Sequence, residues 1–104
     1  MILTGSYPYN AGTVEFSSRV SNRCRCQIET VITVTENGKT DKSSCLTTYR
    51  DNIGETQREE ATAIFFNWAR FFTDQDNAIP ADLARIVRKF CSYAQLKALG
   101  LSNN

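Results

Sequence analysis

Apolar and polar residues alternate from Thr13 to Val20: Val14, Phe16, Ser18 and Val20 fall on one side of an extended chain, Glu15, Ser17 and Arg19 on the other. Alternation with a period of two predicts a strand with one buried face. The alternation resumes from Cys24 to Thr35, with Cys24, Cys26, Ile28, Thr30, Ile32 and Val34 on one face and Arg25, Gln27, Glu29, Thr33 and Thr35 on the other; only Val31 departs from it. Asn37-Gly38 follows, a pair suited to the positive φ angles of a type I′ hairpin turn, so a third strand from about Thr40 to Arg50 should fold back on the second. Upstream, Ile2 to Tyr9 offers one more strand, which Pro8 confines to an edge because it has no N–H to give to a ladder.

The period then changes. Ala61, Ile64, Phe65, Trp68 and Phe72 recur at helical spacing behind Thr56-x-x-Glu59, which has the form of a capping box, and Glu55, Glu59 and Glu60 suit the positive end of a helix dipole. A polar stretch, Thr73 to Asn77, ends this helix. Pro80 stands at the start of a second, whose stripe is Leu83, Ile86, Val87, Phe90 and Ala94; Gly100 and Leu101 have the order of a Schellman ending, with Leu101 folding back on Leu96. Strands followed by helices, without β/α alternation, predict an α+β fold: an antiparallel three- to four-stranded β meander followed by two α-helices packed on one face of the sheet. No linker, repeat or low-complexity tract divides the chain, so residues 1–104 are expected to form a single domain.

Composition narrows the function classes. With 41% apolar and 22% charged residues the chain has the make-up of a globular domain, and its longest apolar run, Ala61 to Ala69, is far shorter than the roughly 20 residues of a membrane span. Met1 to Tyr9 lacks the basic start and long apolar stretch of a secretory leader, from which a cytoplasmic location is expected. The formal charge of +1 gives no general argument for a polyanionic partner. There is no histidine, which removes the Ser/His and Cys/His nucleophile pairs and every zinc site built on imidazole. Cys24-x-Cys26 lacks the spacing of a zinc knuckle. Cys24 and Cys26 are expected to act as small buried hydrophobes on the core face, and one or two disulfides become possible among the four cysteines if the chain is exported. No metal, cofactor or catalytic group is implied.

Two surfaces stand out. If Ser21-Asn22-Arg23 is a three-residue loop that keeps Val20 and Cys24 on one face, Arg19 lies opposite Arg25, and the Asn-Gly hairpin sets Arg25 opposite Arg50. The result is a row of arginines, Arg19, Arg25 and Arg50, on the sheet face away from the core, flanked by Gln27, Thr48 and Ser17. Like charges opposite one another are unfavourable, and an anion held by planar guanidiniums would offset that. The second surface is helical: Phe66 and Phe71 lie beside the buried stripe of the first helix, where a second copy or another protein would cover them. Arg85, Arg88 and Lys89 form a basic edge on the second helix, the usual solvated face of an amphipathic helix. The expectation is a noncatalytic protein-binding or regulatory chain, of inhibitor or adaptor type, acting as a homodimer; the alternative is an anion or nucleic-acid binder using the arginine row. Another protein is the expected partner, and no membrane is.

Overall fold

A computed structural model describes residues 1–49, 53–54 and 56–101. Four strands, β1 (Leu3–Tyr9), β2 (Gly12–Val20), β3 (Gln27–Glu36) and β4 (Lys39–Thr48), precede three helices, α1 (Gln57–Asp74), α2 (Ala81–Phe90) and α3 (Tyr93–Ala98). The strands form one antiparallel sheet in the order β1-β2-β3-β4. This is the α+β meander that the alternation predicts. Asn37 and Gly38 both take positive φ, 52° and 78°, as a type I′ turn requires, and set Glu36 opposite Lys39. Pro8 sits on β1, an edge strand, as its missing donor demands.

The helix ends follow from capping chemistry. Thr56 caps α1 by accepting the Glu59 N–H at 3.1 Å, while its own hydroxyl donates to the Glu59 carboxylate at 3.0 Å. The second helix differs from the expectation: it is divided in two at Cys91, whose backbone is extended. A complete capping box starts α3 immediately afterwards, with the Gln95 N–H donating to Ser92 Oγ at 3.2 Å and the Ser92 N–H to Gln95 Oε1 at 2.8 Å. Its local hydrogen bonds outweigh the apolar spacing that carries the stripe on to Ala94, which is exposed. At the other end the Schellman pairing forms, with Leu101 N–H to Leu96 O at 2.8 Å and Gly100 N–H to Lys97 O at 3.0 Å, and Gly100 at φ 74°.

Apolar side chains from one sheet face meet the helices. Tyr7, Val14, Phe16 and Ile28 pack with Ile64, Trp68, Phe72, Leu83 and Val87. Phe16 stacks on Trp68 with ring centroids 5.3 Å apart, and Tyr7 meets Trp68 and Phe72 edge-on. The close approach of the indole needs Gly5, where an added Cβ would come within 2.8 Å of the Trp68 ring. Polar groups inside this core are partnered. The Trp68 indole N–H donates to Ser18 Oγ at 2.7 Å, the Ser18 and Thr30 hydroxyls lie 2.7 Å apart across β2 and β3, and the Asn67 amide donates to Thr30 Oγ1 at 3.3 Å. Such a chain fixes one indole orientation and one strand register, because a slip would leave buried donors without acceptors.

Candidate functional site

The β3–β4 register is the one the turn implies: Gln27 lies opposite Thr48, side by side on the sheet face away from the helices. The β2–β3 register is not the expected one. Arg19 lies opposite Glu29, to which it is paired at 3.2 Å, rather than opposite Arg25. Arg25 precedes β3 and turns toward α1, where its guanidinium donates to Gly54 O at 2.6 Å and pairs with the Glu60 carboxylate. Arg50 lies outside the described residues. The arginine row is therefore not assembled: Arg19 and Arg25 point to different parts of the molecule, each toward its own carboxylate.

The cause lies between β2 and β3. Cys24 and Cys26 are joined by a disulfide, with their Cα atoms 5.2 Å apart. This corrects the expectation of two cysteines buried as hydrophobes on the core face of a strand. The connection runs from Ser21 to Cys26, closed by the Ser21 N–H on Gln27 O at 2.9 Å and the Gln27 N–H on Cys24 O at 3.1 Å, so β3 begins at Gln27. A longer connection moves the pairing along β3 and brings Glu29 to Arg19. Because the bridge closes a ring of only three residues, chain entropy limits its contribution to about 1–2 kcal/mol. A Cys24→Ser/Cys26→Ser variant should lose that much in urea titration and keep its far-UV circular dichroism, since the ladder from Gln27 onward does not include the bridge.

On the helix side the sheet is only partly covered. Along β4 the residues on this face are Asp41, Ser43, Cys45 and Thr47, opposite Val34, Ile32, Thr30 and Ile28. Every residue of β4 except Thr47 is exposed, and Ile32 and Val34 on β3 are only half-buried. A groove of about 420 Å³ runs between this strip and α1, lined among others by Ile32, Cys45, Tyr49, Phe66, Arg70 and Phe71. The structure thus brings Phe66 and Phe71 together with the uncovered strip. Phe71 also contacts Tyr9 and Phe16, each at 5.4 Å between centroids, whereas Phe66 has the Arg70 guanidinium 5.9 Å from its ring. Tyr49 anchors one end of the groove by donating its hydroxyl to Ala63 O at 2.9 Å. Burial raises its phenol pKa above the ordinary value, with the nearby Arg70 charge opposing.

The opposite sheet face is open and polar, with Thr4, Ser6, Thr13, Glu15, Ser17, Arg19, Gln27, Glu29, Thr33, Lys42, Ser44 and Thr48 along it. Glu15 and Glu29 balance Arg19 and Lys42, so the face carries no excess of positive charge. A shallow depression of about 580 Å³ there includes the apolar groups Ile2, Val31 and Leu46. On α2, Arg85 is paired with Asp82 at 3.1 Å, and Arg88 and Lys89 are exposed. Cys91 is half-buried, and burial pushes its thiol up to about 11; Cys45 is exposed.

The bareness of β4 is the feature that the sequence reading missed. Its signal is present in Lys39 to Thr48, where the positions destined for the helix side hold aspartate, serine, cysteine and threonine instead of large apolar groups. Among the described residues no helix is long and apolar enough to cross a membrane, and no three metal-ligating side chains come together. Compared with protein-family models, with curated proteins and with solved structures, the chain finds no match.

Proposed function

We propose that this chain is a noncatalytic binding module that works by covering a surface on another protein, and that a second copy of itself is the first such partner. The observation that carries the reading is the groove beside β4, where Phe66 and Phe71 of α1 stand over a sheet strip that the chain's own helices leave bare. Half-buried aromatics beside an uncovered strand are the composition of an interface centre. A noncatalytic role is supported by the lack of histidine and by a Cys91 thiol held away from the thiolate state. As for location, a closed Cys24–Cys26 bridge suits an oxidising compartment, while a chain kept in the cytosol would hold the pair as thiols.

Sedimentation over a range of concentrations tests the reading. The wild type should associate reversibly, and Phe66→Asp should weaken association about tenfold or more while leaving circular dichroism unchanged. A wild type that stays monomeric up to its solubility limit overturns self-association. The alternative, an anion or nucleic-acid binder on the open sheet face, has no observation in its favour, because Arg19 and Arg25 are separated and already paired with carboxylates.

A further inference from the structure

We propose that two copies of this chain join edge to edge through their β4 strands, antiparallel about a twofold axis at Ser43 or Ser44, so that the two sheets become one. This deepens the self-association reading above and rests on it. The argument starts from the two edges of the sheet, β1 and β4.

In an antiparallel ladder, alternate residues of an edge strand direct their N–H and C=O groups inward, and the others outward. On β1 the inward set follows from the tight turn that closes at Tyr9 and Gly12, so Thr4, Ser6 and Pro8 face outward. Pro8 removes a donor from that free side, and the edge is guarded. On β4 the Glu36–Lys39 pair closes the turn, and the Tyr49 N–H donates to Cys26 O at 2.6 Å at the far end. Odd-numbered residues therefore face inward, and Thr40, Lys42, Ser44, Leu46 and Thr48 offer outward N–H and C=O groups. Among the described residues nothing pairs with them. The devices that usually guard such an edge are missing from Ser43 to Thr48, which contains no charge and no proline.

The strand is also complementary to itself. An antiparallel partner must match outward residues with outward residues, which leaves twofold positions centred on single residues. Centres at Asp41 or Lys42 would set two aspartates or two lysines directly opposite each other, which is unfavourable. Centres at Ser43 or Ser44 overlap almost the whole strand and oppose no like charges. They place Lys42 beside Ser44 or Leu46 of the second copy, and Asp41 opposite its Cys45 or Thr47. Those two residues line the groove that holds Arg70. Asp41 forms no ion pair among the described residues, and this pairing carries its carboxylate toward the groove of the other copy, where Arg70 pairs with its own Asp74 at 3.8 Å. A second copy thus supplies the missing hydrogen-bond partners and a neighbour for the bare strip.

Ser44→Pro is the test, because the Ser44 N–H faces outward and the ladder to β3 does not use it. The variant should keep its circular dichroism and show dimer association weakened at least tenfold in sedimentation. Should the proline variant fail to fold, Ser43→Cys gives an independent readout. Either twofold position brings that thiol opposite its own copy or opposite Cys45, at a strand spacing a disulfide can span. Mild oxidation should therefore yield a covalent dimer, whereas Thr4→Cys on β1 should yield none. If the wild type associates but Ser44→Pro associates equally, or if Ser43→Cys does not cross-link, edge pairing is wrong and self-association through another surface stands. A monomeric wild type sinks both.

Discussion

Trp68→Ala should cost about 3–5 kcal/mol, a large share of the about 5–15 kcal/mol that separates a folded domain from its unfolded chain. The indole is buried, stacks on Phe16, meets Tyr7 and Phe65 edge-on, and is also the donor that satisfies Ser18. Two milder variants separate packing from polarity. Trp68→Phe keeps an aromatic ring but deletes the N–H. Ser18→Ala keeps the ring and N–H but leaves that donor buried without an acceptor, at a cost of about 1–3 kcal/mol. The double variant should cost less than the two singles added together, because once the N–H is gone Ser18 has less to satisfy. Urea titration followed by far-UV circular dichroism is the measurement, since Trp68 is the sole tryptophan and its fluorescence disappears with it. A Ser18→Ala variant as stable as wild type would mean that the Ser18–Trp68 bond contributes nothing net.

How much of this was legible in the chain depends on where the signals were local. The β3–β4 register could be read because Asn37-Gly38 admits little else, and one turn of fixed length pins every pair along both strands. The α1 start and the Schellman ending were legible for the same reason, each being set by a few neighbouring residues. The β2–β3 register was not, because Ser21 to Cys26 holds no turn signature and its length is set by a covalent bond between two residues that strand alternation also accommodates. The error carried directly into the candidate site: one misplaced pairing exchanged Glu29 for Arg25 opposite Arg19, and an ion pair was read as a cluster of like charges. The placement of Phe66 and Phe71 off the buried stripe was legible, since position on a helix wheel shows which aromatics lie beside it. What lines the other wall of their groove depends on how far α1 covers the sheet, a tertiary property that no local pattern encodes.

Raising the pH above about 9 should destabilise the fold through Tyr49 and Cys91, and the Tyr49 share can be isolated by mutation. Burial raises both pKa values above their ordinary values of 10.0 and 9.0. Groups raised in the folded state contribute stability that is complete below the unfolded pKa and lost as pH climbs through the folded one. The loss thus begins near pH 9 for Cys91, continuing to about 11, and near pH 10 for Tyr49. Each group can add a slope of up to about 1.4 kcal/mol per pH unit, reduced at Cys91 by its partial access to water. The Tyr49 proton has a structural use as well, since it makes the hydrogen bond to Ala63 O that ties the end of β4 to α1. Tyr49→Phe should accordingly be about 1 kcal/mol less stable than wild type at neutral pH. That gap should close above pH 10 as the unfolded wild-type phenol ionises, and reverse near pH 11. Urea midpoints for both proteins across this range decide the matter, with parallel profiles ruling out the Tyr49 contribution.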